Sequence, residues 1–379
     1  MTRITEVQTH LLTHKLDEPF QSSHTQFDAR THCLVEIVCE DGTVGWGECL
    51  GPAILNVALV KAMRPWLLGR DPDEIEPLWL LLYNQFRDQG MAGVTITALS
   101  GIDVALWDIK GKRCGLPIYS LLGGAFRKSV PAYATGAFRR LRGDRPAYLA
   151  EETAAYVREG FGAVKIKIGY GVKEDIAAIR AVREAIGPDA GFMIDANHGY
   201  DVLEAIQLAH AVSDCDIGWF EEPVVPEDFA GYRKIRASQP IPVAGGETWY
   251  TRWGFQKAFT ADVIDIAQPD ICGVGGFTEG KKISDMASAF NVRLIPHVWG
   301  TGVALAAGLH YLASIPDHPP RHEPRPPMLE FDRTPNPFRQ AVLKEPIEHR
   351  SGVVAVPDGP GLGIEINRDA LTKYAPPTV

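Results

Sequence analysis

Seven short apolar runs, each ending in an ionisable residue and spaced about one strand–helix unit apart, constrain this chain more than any other feature. The runs include AVKIKIG (163–169), GFMIDAN (191–197), IGWFEEP (217–223), IPVAGGE (241–247), VIDIAQPD (263–270) and RLIPHVW (293–299). The polar groups that end them are Lys165 and Lys167, then Asp195, Glu221, Glu247, Asp270, His297 and Glu330. From Lys167 onward the intervals are 28, 26, 26, 23, 27 and 33 residues. Amphipathic stretches such as Asp175–Ile186 and Phe277–Phe290 lie between the runs. Continuous apolar strands alternating with helices predict a parallel sheet covered on both faces. Counting a first strand near Pro131–Thr135 and a last near Met328–Glu330, the units favour a closed barrel over an open sheet. The C-terminal ends of barrel strands converge on one mouth, so these polar groups are expected to meet there.

The residues before the barrel have a different texture. His32–Cys39 and Val44–Glu48 are strand-like runs joined through Asp41-Gly42, a strong hairpin signal. Leu99, Ile102, Ala105, Leu106 and Ile109 follow at helical spacing, with Gly111 as the expected C-terminal stop. Antiparallel strands followed by helices predict an α+β unit. We therefore expect an α+β capping domain over residues 1–125, a TIM-like barrel over 126–330, and a C-terminal segment, 331–379, that packs back on the cap. The chain length of 379 residues accommodates this arrangement.

The net charge of −9 and the scattered Lys and Arg residues argue against a nucleic-acid partner. No apolar h-region opens the chain and no run of about 18 apolar residues occurs, so neither secretion nor a membrane span is expected. The six cysteines show no CxxC pair, as in a protein of the reducing cytoplasm.

Asp195, Glu221 and Glu247 are expected from three adjacent strands. Crowded carboxylates raise each other's pKa unless a cation neutralises them, and an all-oxygen donor set favours Mg²⁺ or Mn²⁺ over zinc. The competing reading is a set of rim acids paired with arginines. Lys165 and Lys167, two apart on a strand, share one face. Beside a bound cation, burial is expected to lower a lysine pKa to roughly 7–8, where it serves as a general base. Asp270 precedes His297 by one unit and is placed to fix its tautomer. Glu330 is a further strand-end acid, with Glu323 as its rival. These parts describe enolisation of a metal-bound carboxylate, with Lys167 and His297 flanking the α-carbon.

KIK (165–167), DAN (195–197), FEEP (220–223), GGE (245–247), QPD (268–270) and PHVWGTG (296–302) resemble the mandelate racemase subgroup of the enolase superfamily. ALWDIKGK (105–112) and GLPIYSLLGG (115–124) are similar to that group's junction between cap and barrel. The resemblance implies a modified (β/α)7β barrel under an N-terminal cap, and one Mg²⁺ per subunit. It also implies that Lys167 and His297 form the acid/base pair, with Asp270 and Lys165 supporting them. Asn197, Glu330, Trp299 and His24 are the corresponding candidates for substrate binding, and a symmetric homo-oligomer, an octamer among the forms, is implied.

DQGMAG, YATGAF, DANHGYD, EEPVVPE, AGGETW and EFDRTPNPFRQAVL bring the chain nearest to members of the subgroup that open hexaro-1,4-lactones. The substrate implied is a small acid sugar or its lactone. An acid-sugar dehydratase and a racemase or epimerase share the same strand-end residues, so the site alone does not separate them. A carboxylate-binding protein that has lost catalysis fits the complete Lys–acid–His set poorly. An aldolase or hydrolase, needing a Schiff-base lysine or a His-rich metal site, fits the spacing no better.

Overall fold

Alternating burial along the first strands builds the cap. In the computed structural model, which describes residues 2–323 and 325–376, strands Ile4–Gln21, Gln26–Cys39 and Val44–Cys49 pair antiparallel. The second hairpin turns where Gly42 takes φ 83° and Asp41 Oδ1 accepts the Thr43 amide at 3.0 Å. Helix Val94–Cys114 packs on this sheet with buried residues around its whole circumference. Gly45 and Gly47 permit the approach: a Cβ there would lie 2.2 Å from Ala105 O and 1.9 Å from Gly101 O.

The helix does not stop at Gly111, as periodicity suggested, but runs to Cys114 and ends at Gly115 in the left-handed region. Gly111 is needed for close approach instead, since a Cβ there would meet Gly361 Cα at 2.5 Å.

Eight parallel strands form the second unit: Ser129–Thr135, Ala163–Lys167, Gly191–Asp195, Ile217–Glu221, Val243–Gly245, Ile266–Ala267, Arg293–Leu294 and Leu329–Asp332. Each of the first six pairs with the next, and the eighth returns beside the first, Leu329 opposite Ala132. Seven helices, from Arg145–Arg158 to Gly302–Ser314, fill the intervals. This is the (β/α)7β barrel with an N-terminal cap. The sixth and seventh strands keep only two ladder residues each, fewer than the apolar runs predicted. Pro269 and Pro296 lie two residues beyond those strands, and proline offers no amide to a ladder.

Alternation inside the barrel places the chemistry. Tyr133, Ala163, Met193, Trp219, Ala244, Ile266 and Ile295 form an apolar plug in the interior. Val164, Ile166 and Ile168 face outward into the helix layer. Lys165 and Lys167 share the inward face with Ala163, so they lie above the plug toward the mouth.

The last residues contact both units. Val353–Ala355 pairs antiparallel with the first barrel strand, while Arg368 bonds Glu36 and Tyr374 lies edge-on to His14 of the cap.

A cap carboxylate also caps a barrel helix. Glu48 accepts hydrogen bonds from Thr301 Oγ1 (2.7 Å), the Thr301 amide and the Ala304 amide (2.9 Å) at the start of Gly302–Ser314. A buried carboxylate at a helix N-terminus satisfies amides that would otherwise be orphaned. Glu48→Ala is expected to lower the unfolding free energy by about 3 kcal/mol in urea titrations. A loss under about 0.5 kcal/mol would show that this contact does not hold cap to barrel.

Candidate active site

Strand register sets the site. Lys167 pairs with Asp195, and Asp195 with Glu221, so three successive strand ends carry cation, anion, anion side by side. Glu247 follows two residues after the fifth strand. One oxygen from each of Asp195, Glu221 and Glu247 lies within 4.8 Å of the others, a group fit to hold a metal ion.

The donor set fits a hard divalent cation. All three donors are carboxylates, and Glu247 Oε2 is buried with no hydrogen-bond partner among the described residues. The other two are oriented: Glu221 Oε2 accepts from Trp219 Nε1 (3.0 Å) and Gln268 Nε2 (2.7 Å), and Asp195 Oδ1 accepts the Asn197 amide at 2.9 Å. Gln268 was missed from the sequence, although the QPD motif contains it.

The electrostatics are those of a crowded buried cluster. Burial, together with Glu221 and Glu247, pushes Asp195 up to about 7 against the pull of Lys167. Glu221 falls to about 2 despite burial, because Lys165 and Lys167 stand beside it.

The carboxylates govern the lysines. Burial pulls both down, but the carboxylates outweigh it: Asp195 holds Lys167 above its ordinary value, and Glu221 and Glu330 hold Lys165 well above. The expected fall is that of a lysine beside a bound cation, and the nearest groups within the protein are acids. Lys165 Nζ lies 2.6 Å from Glu221 Oε1 and 2.8 Å from Glu330 Oε1, and Lys167 Nζ bonds Asp195 Oδ2. Charge that these acids give to a cation is no longer available to hold the lysine protons.

His297 stands at the far side of the triad. Its Nδ1 lies 2.6 Å from Asp270 Oδ2 and its Nε2 3.4 Å from Glu247 Oε2. Burial disfavours the imidazolium, but Glu247 and Asp270 push His297 up to about 10. Glu330 Oε2 accepts the Val298 amide at 3.2 Å, which ties the eighth strand to the seventh unit. Its rival Glu323 is exposed and outside the cluster.

Above the triad lies a cavity of about 690 Å³ between cap and barrel. Lys167, Asn197, Glu247, His297 and Trp299 line it from the barrel, and His24 and Arg30 from the cap. The His24 Nδ1–Asn197 O contact is 3.0 Å, and among the described residues the buried Asn197 Oδ1 has no partner. Two more residues escaped sequence reasoning. Arg30 sits mid-strand in the cap with no motif around it. Glu222, the second acid of FEEP, is buried beside the triad, and burial with Glu247 and Asp195 raises it well above the carboxylate range. Thr248 Oγ1 donates to its Oε1 at 3.1 Å.

Comparison with known proteins now decides the family. Residues 4–123 match the mandelate racemase / muconate lactonizing enzyme N-terminal domain, and residues 148–370 match the enolase C-terminal domain-like family. The chain belongs to the mandelate racemase group of the enolase superfamily. It is 59% identical to a D-galactarolactone cycloisomerase of Agrobacterium fabrum over 99% of both chains. It is 37% identical to an arabinonate dehydratase of Saccharolobus solfataricus over 89% of each. The crystal structure of a 3,6-anhydro-D-galactonate cycloisomerase from Zobellia galactanivorans superposes with a TM-score of 0.90, at 42% identity and 99% coverage of both chains.

Ligand binding to the folded state alone raises thermal stability by mass action. Mg²⁺ is expected to raise the melting temperature of the wild-type chain, and Glu247→Gln to weaken Mg²⁺ at least about tenfold in the same titration. An unchanged Mg²⁺ response in Glu247→Gln would remove Glu247 from the metal centre.

Proposed function

We propose that this chain is an Mg²⁺-dependent cycloisomerase that opens hexaro-1,4-lactones, D-galactaro-1,4-lactone and D-glucaro-1,4-lactone, to a 3-deoxy-2-keto-hexarate. The observation that carries it is the pairing of Lys167 and His297 in one cavity on either side of the acid triad, in a chain so similar to the Agrobacterium enzyme. We take Asp195, Glu221 and Glu247 to hold one Mg²⁺ per subunit, with Mn²⁺ as the alternative.

Bound there, the cation supplies positive charge beside the substrate carboxylate as proton loss builds charge on its oxygens. Lys167 removes the proton from the carbon next to that carboxylate. The freed electron pair forms a C=C bond, and the bond from the β-carbon to the ring oxygen breaks. The ring oxygen departs as part of the lactone's own carboxylate, a weak base that needs no proton. The enol then ketonises by taking a proton at the β-carbon, and no water is lost. His297, oriented by Asp270, is the second acid/base of the pair. Lys165, bonded to Glu221 and Glu330, positions the triad, while Asn197, Trp299 and His24 face the substrate from the cavity wall.

Among the described residues no helix is long and apolar enough to cross a membrane, and the six cysteines are unbridged. We place the enzyme in the cytoplasm on that thiol chemistry. Homo-oligomeric assembly rests on the family likeness.

Incubation with Mg²⁺ and the two lactones, followed by NMR and mass spectrometry, is expected to give a 2-keto acid of unchanged mass. Product formed only from open hexarates, with loss of water, would make the chain a dehydratase. In D₂O, replacing Lys167 by Ala is expected to slow α-proton exchange at least about 100-fold, while His297→Asn keeps it. The opposite result would exchange the two roles.

A further inference from the structure

The lactone reading leaves one charge unattended. As the ring opens, negative charge grows on the departing carboxylate, at the end of the substrate away from the carboxylate that meets the cation. A group stabilising that charge acts on elimination and not on proton removal. Lys167, Glu247 and His297 cluster at the proton-transfer end of the cavity, so the group must come from elsewhere on its wall.

Arg30 lies on that wall. It projects from the cap strand Gln26–Cys39, is only 2% exposed, and lines the same cavity as Lys167 and His297. Its guanidinium stacks on the Trp299 ring, 4.2 Å from the centroid, which fixes the plane of the fork. Trp299 is two residues beyond His297, so the stack ties the arginine to the strand end that carries the imidazole.

The polar contacts of Arg30 are long. Nη2 donates to Asp332 Oδ2 at 3.2 Å and Nη1 to Thr334 Oγ1 at 3.4 Å. Charge-assisted bonds normally close to about 2.7–2.9 Å. Asp332 is engaged elsewhere: its Oδ1 accepts the Thr334 amide at 2.8 Å and Thr334 Oγ1 at 2.6 Å. Arg339 also approaches Asp332 Oδ2, at 4.0 Å, so two arginines share that one oxygen. A buried, oriented guanidinium with spare donors beside a cavity is an oxyanion site.

We propose that Arg30 receives the carboxylate released from the lactone, so that it promotes ring opening without taking part in proton removal. The inference rests on the cycloisomerase reading. It also gives a chemical reason why a lactone opens here: a departing carboxylate suits a guanidinium, which has no proton to give, whereas a departing hydroxyl needs an acid. Arg30 is thereby a determinant of the leaving group.

The test separates two rates in one sample. Wild-type chain, Arg30→Gln and Arg30→Lys are incubated with Mg²⁺ and D-galactaro-1,4-lactone in D₂O. NMR then measures deuterium entering the α-position of unopened lactone and the appearance of ring-opened product. For Arg30→Gln, ring opening is expected to fall about 100-fold, the usual effect of losing one oxyanion donor. Exchange is expected to fall less than about tenfold, so the ratio of exchange to opening rises at least about tenfold. Arg30→Lys keeps the charge without the fork and is expected to fall between the two.

Surviving exchange shows that the variant is folded and its site intact. If exchange and opening fall together in both variants, or neither falls, Arg30 has no such role. If the wild-type chain exchanges the α-proton but opens no lactone, the cycloisomerase reading fails first and takes this role with it.

Discussion

Burial of five charges above an apolar plug organises this molecule. Lys165, Lys167, Asp195, Glu221 and Glu330 are almost wholly shielded from water, and none would be tolerable there alone. Their tolerance depends on register: parallel strands place Lys167 beside Asp195 and Asp195 beside Glu221. Slipping one strand by a single residue would turn its charges outward into the helix layer and bring apolar side chains to the mouth. The barrel and its chemistry are therefore not separable, because the same alternation that fills the interior with Tyr133, Met193 and Trp219 lifts the ionisable groups to the rim.

The second dependency is the cap. A barrel mouth open to water would weaken every electrostatic interaction within it. Here the cap is fastened by buried charge at several points: Glu48 to the start of the last barrel helix, Arg30 to the end of the eighth strand, and Glu36 to Arg368 of the terminal segment. These contacts hold cap strands over the cavity, so part of its lining comes from residues hundreds of positions away in sequence. Proton transfer is assigned to the barrel, and we attribute recognition of what leaves to the cap.

Much of this was legible before any coordinates. Strand ends at regular intervals give the barrel, because parallel strands recur at the length of one strand–helix unit. Asp195, Glu221, Glu247, Asp270, His297 and Glu330 fall where that periodicity puts them. Three things were not legible. The extent of the long cap helix was misjudged because Gly111 serves a contact with Gly361, a long-range approach that leaves no local trace. The upward pull of the carboxylates on the lysines was not legible because it depends on which charge is nearest, and sequence spacing does not give distance. Arg30 was invisible because a cap strand has no strand-end rule, and only the docking of cap on barrel brings it to the cavity. Glu222 and Gln268 stood inside quoted motifs, yet nothing in those motifs told a ligand from its support.

The central claim is that Asp195, Glu221 and Glu247 together form a site for one divalent cation. Mn²⁺ soaked into crystals of the protein, located by its anomalous scattering, tests it most directly. The account predicts one peak per subunit at about 2.1–2.3 Å from an oxygen of each of the three carboxylates. A peak elsewhere, or none with Lys167 still bonded to Asp195, would contradict it.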